Sequence, residues 1–303
     1  MDKKTVAING FGRIGRMIFK KILESGKLDV VLVNDLADKD TLEYLLKYDS
    51  VYGKSDVNLD GVNLTSESEP GLEADIVFES TGLFREYKDA SKHKGRVVVI
   101  SAPSKSEEVK HFVYGVNDDA FSGEGVISSG SCTTIAMANV LKPLNDKFGV
   151  ERVFSTTTHS YTNSQSLVDS PLKKDPRRGR AAPLSIVPTT TGAAIAVEKV
   201  IPELSGKMQG VALRVPVETV SLVDMVIEFS KDVSVDEINN TVWDKTEEEL
   251  VSRDLVGDER GAVVDTKFTQ VDGNMAKVLA WYDNEAGYSH QVVKLLESIG
   301  DKL

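Results

Sequence analysis

Short apolar runs alternate with amphipathic segments along the first third of the chain. Residues 5–9 are apolar and β-prone, and after Gly10 the apolar positions follow helical spacing as far as Gly26. Further strand-like runs stand at 28–33, 76–78, 97–100, 112–114 and 126–127. This alternation predicts an α/β fold with a Rossmann-type doubly wound, largely parallel sheet.

The pattern changes near Val153, where the strand-like runs become longer and fewer helical segments separate them. These runs are 153–158, 211–217, 222–229 and 276–282. They predict a second, α+β domain with a mixed or antiparallel sheet. Ser234 and Glu237 have the spacing of a capping box, and 289–299 has the pattern of a last amphipathic helix. We predict a first domain from 1–131 plus 286–303 and a catalytic domain from 132–285.

Composition limits the classes of protein to be considered. The chain has 303 residues, 41% of them hydrophobic, which is enough for two ordinary domains. Its single cysteine cannot form an internal disulfide, which favours the cytoplasm. With 47 acidic and 36 basic residues the net charge is -11, so we expect no nucleic-acid partner. The apolar run at 6–8 is too short for a signal or membrane span, so no membrane association is expected.

A glycine-rich motif lies between the first strand and the first helix. Gly10, Gly12 and Gly15 form the pattern GxGxxG, and Asp35 follows 20 residues after Gly15 at the end of the second strand. Glycines there let a pyrophosphate approach the helix N-terminus, while a carboxylate at Asp35 binds ribose hydroxyls. A glycine turn needed only for packing is the alternative. The acid also predicts NAD over NADP, since a 2′-phosphate would meet like charge.

Cys132 is the candidate nucleophile because it stands at the predicted N-terminus of a helix. That position stabilises a thiolate and lowers the thiol pKa. His159, at the end of a strand, is the candidate base. His93 and His111 lie in polar stretches and are expected at the surface, and His290 begins the final helix. A buried, unreactive cysteine and a structural histidine are the alternatives.

Several longer motifs occur in a fixed order along the chain. They are AINGFGRIGR at 7–16, ND at 34–35, STGLF at 80–84, SCTT at 131–134, HSYT at 159–162, RRGRAA at 177–182, PTTTGAA at 188–194, RVP at 214–216 and WYDNE at 281–285. With these motifs the chain resembles the glyceraldehyde-3-phosphate dehydrogenase family over nearly its whole length.

The resemblance implies a reaction. Cys132 would attack the aldehyde of glyceraldehyde 3-phosphate, with His159 as general base, the two being tuned as a thiolate and imidazolium. Hydride would pass to NAD, whose nicotinamide carboxamide Asn284 would orient. Inorganic phosphate would then cleave the thioester, giving 1,3-bisphosphoglycerate in glycolysis or gluconeogenesis.

The resemblance also implies binding residues. The cofactor set is Gly10, Gly12, Arg13, Ile14, Gly15, Asp35, Thr81, Gly82, Ser101 and Asn284. The substrate phosphate would be held by Thr162, Arg178 and Arg214, and the attacking phosphate by Ser131, Thr133, Thr134, Thr191 and Gly192. No metal site is expected. Arg214 stands among apolar residues, where an anion should meet it, and a buried ion pair with a protein carboxylate is the alternative.

Other expectations rest on the resemblance as well. The family implies a homotetramer, with residues 163–182 near the cofactor of a neighbouring subunit. That segment includes a basic stretch, 173–180, for which a nuclear-targeting or nucleic-acid patch is the alternative. Erythrose-4-phosphate dehydrogenase and a catalytically idle NAD-binding paralogue are the alternative functions.

The sequence departs from the family pattern in a few places. Ile135 and Ala136 replace the usual asparagine and second cysteine, which removes no reacting group. The segments after Gly53 and Lys245 are shorter than usual, and no basic residue for adenine is evident near 67–70. Ser170 stands where leucine is common in NAD-specific relatives, whereas Asp35, Leu36 and Pro171 keep the NAD-type pattern. NAD therefore remains the predicted cofactor, and reduced discrimination against NADP is the alternative.

Overall fold

The computed structural model describes residues 3–173 and 175–303. Of the basic stretch at 173–180, Lys174 lies outside the described residues, as do the first two residues of the chain. The chain divides into two compact units. The first extends to Ser131 and includes Ser289–Leu303, and the second is Cys132–Tyr288.

The first unit contains a sheet of parallel strands with the helices α1 to α3. Its elements are β1 (Lys4–Asn9), α1 (Arg13–Ser25), β2 (Leu28–Asn34), α2 (Lys39–Lys47), β3 (Tyr48–Asp49), β4 (Gly53–Lys54), β5 (Asn63–Thr65), β6 (Ile76–Glu79), α3 (Tyr87–Ala90), β7 (Val97–Ile100), β8 (Lys110–His111) and β9 (Val126–Ser128). The sheet order is β5-β2-β1-β6-β7-β9-β8, and every pair in it is parallel. The prediction of a doubly wound sheet is confirmed.

The apolar pattern explains how α1 packs beside this sheet. Gly15, Ile18, Phe19 and Ile22 follow helical spacing and are buried. Gly26 ends the helix in a left-handed conformation (φ 64°), and its N–H donates to the Ile22 carbonyl. The buried apolar face holds α1 against its neighbours, and its N-terminus directly follows the turn after β1.

The second unit contains a mixed sheet. Its elements are α4 (Cys132–Phe148), β10 (Val150–Ser160), β11 (Val187–Thr190), α5 (Ala193–Val200), β12 (Met208–Val215), β13 (Ser221–Phe229), α6 (Val235–Asn239), β14 (Lys245–Thr246), β15 (Val263–Asp265), β16 (Gln270–Asp272) and β17 (Met275–Tyr282), with α7 (Ala286–Lys302) crossing the boundary between the units. The sheet order is β11-β12-β10-β13-β17-β15-β14, with β16 beside β17. Parallel β10–β12 and antiparallel β10–β13 pairs confirm the predicted mixed sheet.

Local sequence signals account for the starts of α6 and α7. The capping box forms: the Ser234 hydroxyl accepts from the Glu237 N–H, and the Glu237 carboxylate accepts from the Ser234 N–H. The last helix begins three residues before its predicted start because the Asp283 carboxylate accepts from the N–H groups of Glu285 and Ala286. In the described part of the chain, none of the helices is both apolar enough and long enough to cross a membrane.

The predicted strand at 112–114 is wrong. The strand in this region is Lys110–His111, and the chain then turns, with Gly115 in a left-handed conformation (φ 73°). The side chain of Asn117 accepts from the Val113 N–H and donates to the His111 carbonyl. A side chain thus takes the place of strand partners, which local β propensity does not reveal.

Two histidines predicted at the surface are buried, so that prediction is wrong. His93 Nδ1 accepts from the N–H groups of Gly71 and Leu72, which leaves Nε2 to donate to Glu79 at 3.3 Å. His111 Nε2 accepts from the Ser104 N–H. Each ring has a hydrogen-bond partner that is distant in sequence or across a turn, which the polar neighbouring residues did not indicate.

Candidate active site

Cys132 and His159 lie in contact within the second unit. Cys132 is the first residue of α4 and is partly buried, while His159 is near the end of β10 and is 6% exposed. The Cys132 Sγ is 3.4 Å from the His159 Nε2. The thiol therefore has a base within reach for direct proton transfer.

The other ring nitrogen of His159 faces a carbonyl and a guanidinium. Nδ1 is 2.7 Å from the Ser160 carbonyl oxygen and 2.8 Å from the Arg214 Nη1. Arg214 is paired with His159 in the register of β10 and β12, and its Nη1 also donates to the Ser160 carbonyl at 2.9 Å. When Nδ1 carries a proton it donates to the carbonyl, and when it does not it accepts from Arg214. The ring has a partner in both tautomers, so Nε2 stays directed at the thiol.

Burial disfavours an isolated charge on either member of the pair. It raises the pKa of the Cys132 thiol, and this outweighs the opposing effects of Arg214 and the backbone N–H groups at the start of α4. Burial, together with the Arg214 charge, lowers the pKa of His159 to about 3. The predicted lowering of the thiol pKa is therefore wrong, because the desolvation cost exceeds the benefit of the helix N-terminus. A neutral imidazole is the form that can accept the thiol proton.

Arg214 has no carboxylate partner among the described residues. Its Nε is buried without a hydrogen-bond partner in that part of the chain, and burial lowers the pKa of its guanidinium. The charge of Arg178 acts in the same direction on Arg214, so the two guanidinium groups are close enough to repel each other. The buried ion pair considered as an alternative for Arg214 does not form with any carboxylate of residues 3–173 and 175–303, and an anion between the two cations would relieve both costs.

Arg178 belongs to a set of polar groups in the loop after β10. Its Nε lies 3.3 Å from the Asp175 carboxylate and donates to the Thr189 hydroxyl, and its Nη1 donates to the Ser164 hydroxyl at 3.4 Å. Ser164 is in turn hydrogen-bonded to Thr162 at 2.9 Å. The structure therefore connects Thr162 and Arg178, two of the three residues expected at the substrate phosphate.

The residues expected at the attacking phosphate belong to two different segments of the second unit and its boundary. Gly192 is the N-cap of α5, and the Thr191 hydroxyl accepts from the Ala193 N–H. Thr133 and Thr134 are buried, and the Thr133 hydroxyl is hydrogen-bonded to the Tyr282 hydroxyl at 2.8 Å. Ser131 directly precedes Cys132. Of this group, Thr191 and Gly192 form one helix N-terminus, while the Thr133 hydroxyl already has a protein partner.

The glycine-rich turn of the first unit fits a dinucleotide. A Cβ on Gly15 would lie 2.1 Å from the Gly10 carbonyl oxygen, and one on Gly10 would lie 2.7 Å from the Thr81 nitrogen. A Cβ on Gly12 would meet nothing within 4 Å, so the turn is open on that side. The Asp35 carboxylate accepts from the Phe11 and Ala37 N–H groups at 2.7 and 3.0 Å, which fixes its position at the end of β2. Close packing behind the turn and open space in front of it are what a pyrophosphate requires.

The remaining cofactor candidates of the first unit lie around the same end of its sheet. Thr81 and Gly82 follow β6 and Ser101 follows β7, so both segments stand at carboxyl ends of parallel strands. Arg13 and Ile14 open α1, and Arg13 forms an ion pair with Asp49. Asn284 lies in the second unit, directly after β17.

Sequence reasoning missed a buried polar network under the turn. Glu79, at the end of β6, accepts from Asn9 at 2.6 Å, from both the N–H and the hydroxyl of Thr81, and from His93. Asn34 donates to Asn9 at 2.8 Å. Polar residues ending three otherwise apolar strands are the signal that could have identified this network.

Comparisons with known proteins agree with this arrangement. Residues 4–87 match the family model described as glyceraldehyde 3-phosphate dehydrogenase, NAD binding domain, and residues 131–284 match the model of its C-terminal domain. The glyceraldehyde-3-phosphate dehydrogenase of Geobacillus stearothermophilus is 46% identical, with 98% of each chain covered. Glyceraldehyde-3-phosphate dehydrogenase 1 of Bacillus subtilis (strain 168) is 45% identical over 98% of each chain, and the Haloarcula vallismortis enzyme is 40% identical over 97% of each.

The fold, the glycine-rich turn and these matches define the class of protein as an NAD-dependent oxidoreductase. More specifically, the chain belongs to the glyceraldehyde-3-phosphate dehydrogenase family. The family resemblance and the NAD cofactor predicted from the sequence are confirmed.

Proposed function

We propose that this chain catalyses the phosphorylating oxidation of glyceraldehyde 3-phosphate to 1,3-bisphosphoglycerate with NAD, as a step of glycolysis and gluconeogenesis. The 3.4 Å contact between the Cys132 Sγ and the His159 Nε2 carries the proposal, because a thiol beside a neutral imidazole can form a thioester intermediate. Residues 1–131 plus 286–303 bind NAD, and 132–285 supply the catalytic groups.

The Cys132 thiol starts the reaction. Its sulfur forms a bond to the aldehyde carbon while the thiol proton passes to the His159 Nε2, and the imidazolium returns that proton to the former carbonyl oxygen, giving a hemithioacetal and a neutral His159. Loss of the hydroxyl proton to His159 accompanies oxidation of the hemithioacetal to a thioester. When bound, NAD supplies the hydride acceptor. Inorganic phosphate then attacks the thioester carbon, the carbon–sulfur bond breaks, and Cys132 recovers a proton from His159.

The substrate phosphate and the attacking inorganic phosphate need separate binding sites in this mechanism. Thr162, Arg178 and Arg214 hold the phosphate of the substrate, where it offsets the repulsion between the guanidinium groups. The attacking phosphate binds at the N-terminus of α5 through Thr191 and Gly192, with Ser131, Thr133 and Thr134 from the segment around Cys132. The backbone N–H groups at the start of a helix favour an anion there.

The first test follows NADH formation by the purified protein with glyceraldehyde 3-phosphate, with and without inorganic phosphate. Sustained turnover is expected only with phosphate, because the thioester otherwise accumulates after one turnover. Unphosphorylated glyceraldehyde is the matched control for the site that binds the substrate phosphate. Its kcat/KM is expected to be at least about 100-fold lower than that of glyceraldehyde 3-phosphate, because it lacks charge-assisted hydrogen bonds worth roughly 3 kcal/mol. Sustained turnover without phosphate would instead indicate hydrolysis, as in erythrose-4-phosphate dehydrogenase. Tight NAD binding without turnover of either sugar phosphate would indicate the idle paralogue.

We also propose that the protein works as a homotetramer in the cytoplasm, without a nucleic-acid or membrane partner. Phe154 and Val211 are each more than half exposed on one side of the second sheet, beside Val226 on the adjacent strand. Apolar side chains on an open sheet face favour packing against another subunit. Light scattering on the purified protein is expected to give four times the chain mass of 33.0 kDa, and the mass of one chain would contradict the proposal.

A further inference from the structure

Asn284 lies in a buried set of hydroxyl groups that determines which end of its amide faces outward. Its Oδ1 accepts from the Ser160 hydroxyl at 3.0 Å and from the Ser221 hydroxyl at 2.9 Å. Both serines are buried, Ser160 completely and Ser221 to within 2%. They come from adjacent sheet strands, β10 and β13, which gives the carbonyl end of the amide two donors on a rigid support.

A reversed amide would be unfavourable. In the described part of the chain the Ser160 hydroxyl has Asn284 as its acceptor, so turning the amide by 180° would leave a buried hydroxyl proton unpaired. The Ser221 oxygen already accepts from the Ser160 N–H at 3.2 Å. The network therefore selects one of the two amide orientations.

The opposite end of the amide is Nδ2. Within residues 3–173 and 175–303 no acceptor is hydrogen-bonded to Nδ2, although Asn284 is only 6% exposed. The atom is also not sealed into the core. A nearly buried N–H₂ group in this state presents two donors and no acceptor to whatever approaches it.

We infer that Ser160 and Ser221 are positioning residues that hold Asn284 as a hydrogen-bond donor and so fix the orientation of the nicotinamide ring. The inference rests on the proposed function, in which the carboxamide of NAD meets Asn284. A donor selects the carboxamide oxygen over its amide nitrogen. The ring consequently binds in one of its two orientations about the glycosidic bond and presents one face for hydride transfer.

The position of Ser160 allows its two roles to be separated. Its backbone carbonyl accepts from the Arg214 Nη1 and, when that nitrogen is protonated, from the His159 Nδ1. Its hydroxyl instead donates to the Asn284 Oδ1. Replacing Ser160 with alanine removes the hydroxyl and keeps the carbonyl. The reactivity of the Cys132 thiol should therefore remain while control of the nicotinamide orientation is lost.

The test uses the full-length variants S160A and S221A and their double variant, with S155A as the matched control. Ser155 lies on the same strand as Ser160, is 5% exposed and donates to the Gln209 carbonyl, away from Asn284. Transferred nuclear Overhauser effects on NAD, measured without substrate, report the ring orientation. Substrate deuterated at the aldehyde reports which face of the ring receives the hydride.

Wild type and S155A are expected to bind NAD in one ring orientation and to transfer deuterium to one face. The double variant should show both orientations and at least about tenfold more transfer to the other face, with intermediate effects in each single variant, as loss of one or two buried hydrogen bonds predicts. Alkylation of Cys132 by iodoacetamide should change less than twofold. If the double variant does not fold, the single variants provide the same comparison.

A single ring orientation and unchanged face selectivity in the serine variants would overturn the inference. So would a mixture of orientations in wild-type protein. Absence of NADH formation by wild type would instead count against the proposed function, and the NAD-binding measurement would still decide whether the serines control the ring.

Discussion

Replacing Cys132 with serine is expected to lower kcat for NADH formation by at least about 10⁴-fold, as removal of an attacking side chain does in enzymes with covalent intermediates. The chain has no second thiol that could substitute for it. A serine hydroxyl is a much weaker nucleophile than a thiol, because far less of it ionises beside the same imidazole. The exchange changes one atom, so packing around α4 should be retained.

Steady-state rates with and without iodoacetamide treatment would measure this effect. Wild-type protein should incorporate one label per chain and lose activity in parallel, while the serine variant should incorporate none. NAD affinity serves as the control, since the glycine-rich turn is in the first unit and is unaffected by the substitution. Retention of more than about 1% of wild-type kcat by the variant would contradict a covalent role for the sulfur, given the size of the expected loss.

The sequence was sufficient to predict a parallel sheet and a mixed sheet because their longer strands carry apolar runs, whereas short strands such as β3, β4 and β14 carry none and were not predicted. It failed at 112–114, where the Asn117 side chain replaces strand hydrogen bonds and no local pattern encodes that substitution. Boundaries were predicted well where a local cap exists, as at Ser234. They were less accurate where the cap was not recognised, as at Asp283.

The candidate site shows the same division between local and distant information. Cys132, His159 and the glycines stand in motifs that can be read along the chain, whereas the partners that position them come from elsewhere. The Ser160–Asn284 hydrogen bond joins residues 124 positions apart, and the Asn9–Glu79 bond joins residues 70 apart. The pKa of the thiol follows the same logic: a helix N-terminus can be recognised in sequence, but burial depends on the whole fold.

Replacing His159 with asparagine is expected to lower kcat/KM by about 10²- to 10⁴-fold near neutral pH, the usual contribution of a general base. Asparagine is polar and smaller than histidine but cannot take a proton from the Cys132 sulfur. The variant must lose the thiol proton to solvent, and burial raises the pKa of that thiol. Its rate should therefore rise about tenfold per pH unit, since the ionised fraction of an acid does so below its pKa.

The wild-type pH profile follows from the other member of the pair. Burial and Arg214 lower the pKa of His159 to about 3, so the imidazole is neutral and able to act as a base throughout the range above about pH 4. Wild-type kcat/KM should then show no loss near the ordinary histidine pKa of about 6.5. The ratio of wild-type to variant rates should be largest at the acid end of this range, near about pH 4, and should shrink as the pH rises and more of the variant's thiol ionises without a base.

Rates of Cys132 alkylation by iodoacetamide, measured over the same pH range without substrate, would separate thiol ionisation from later steps. Equal alkylation of both proteins at high pH would show that the variant retains an accessible, folded thiol. An acidic limb near pH 6.5 in wild type, absent in the variant, would mean that His159 is protonated in the free enzyme. The low pKa of the buried imidazole would then be contradicted.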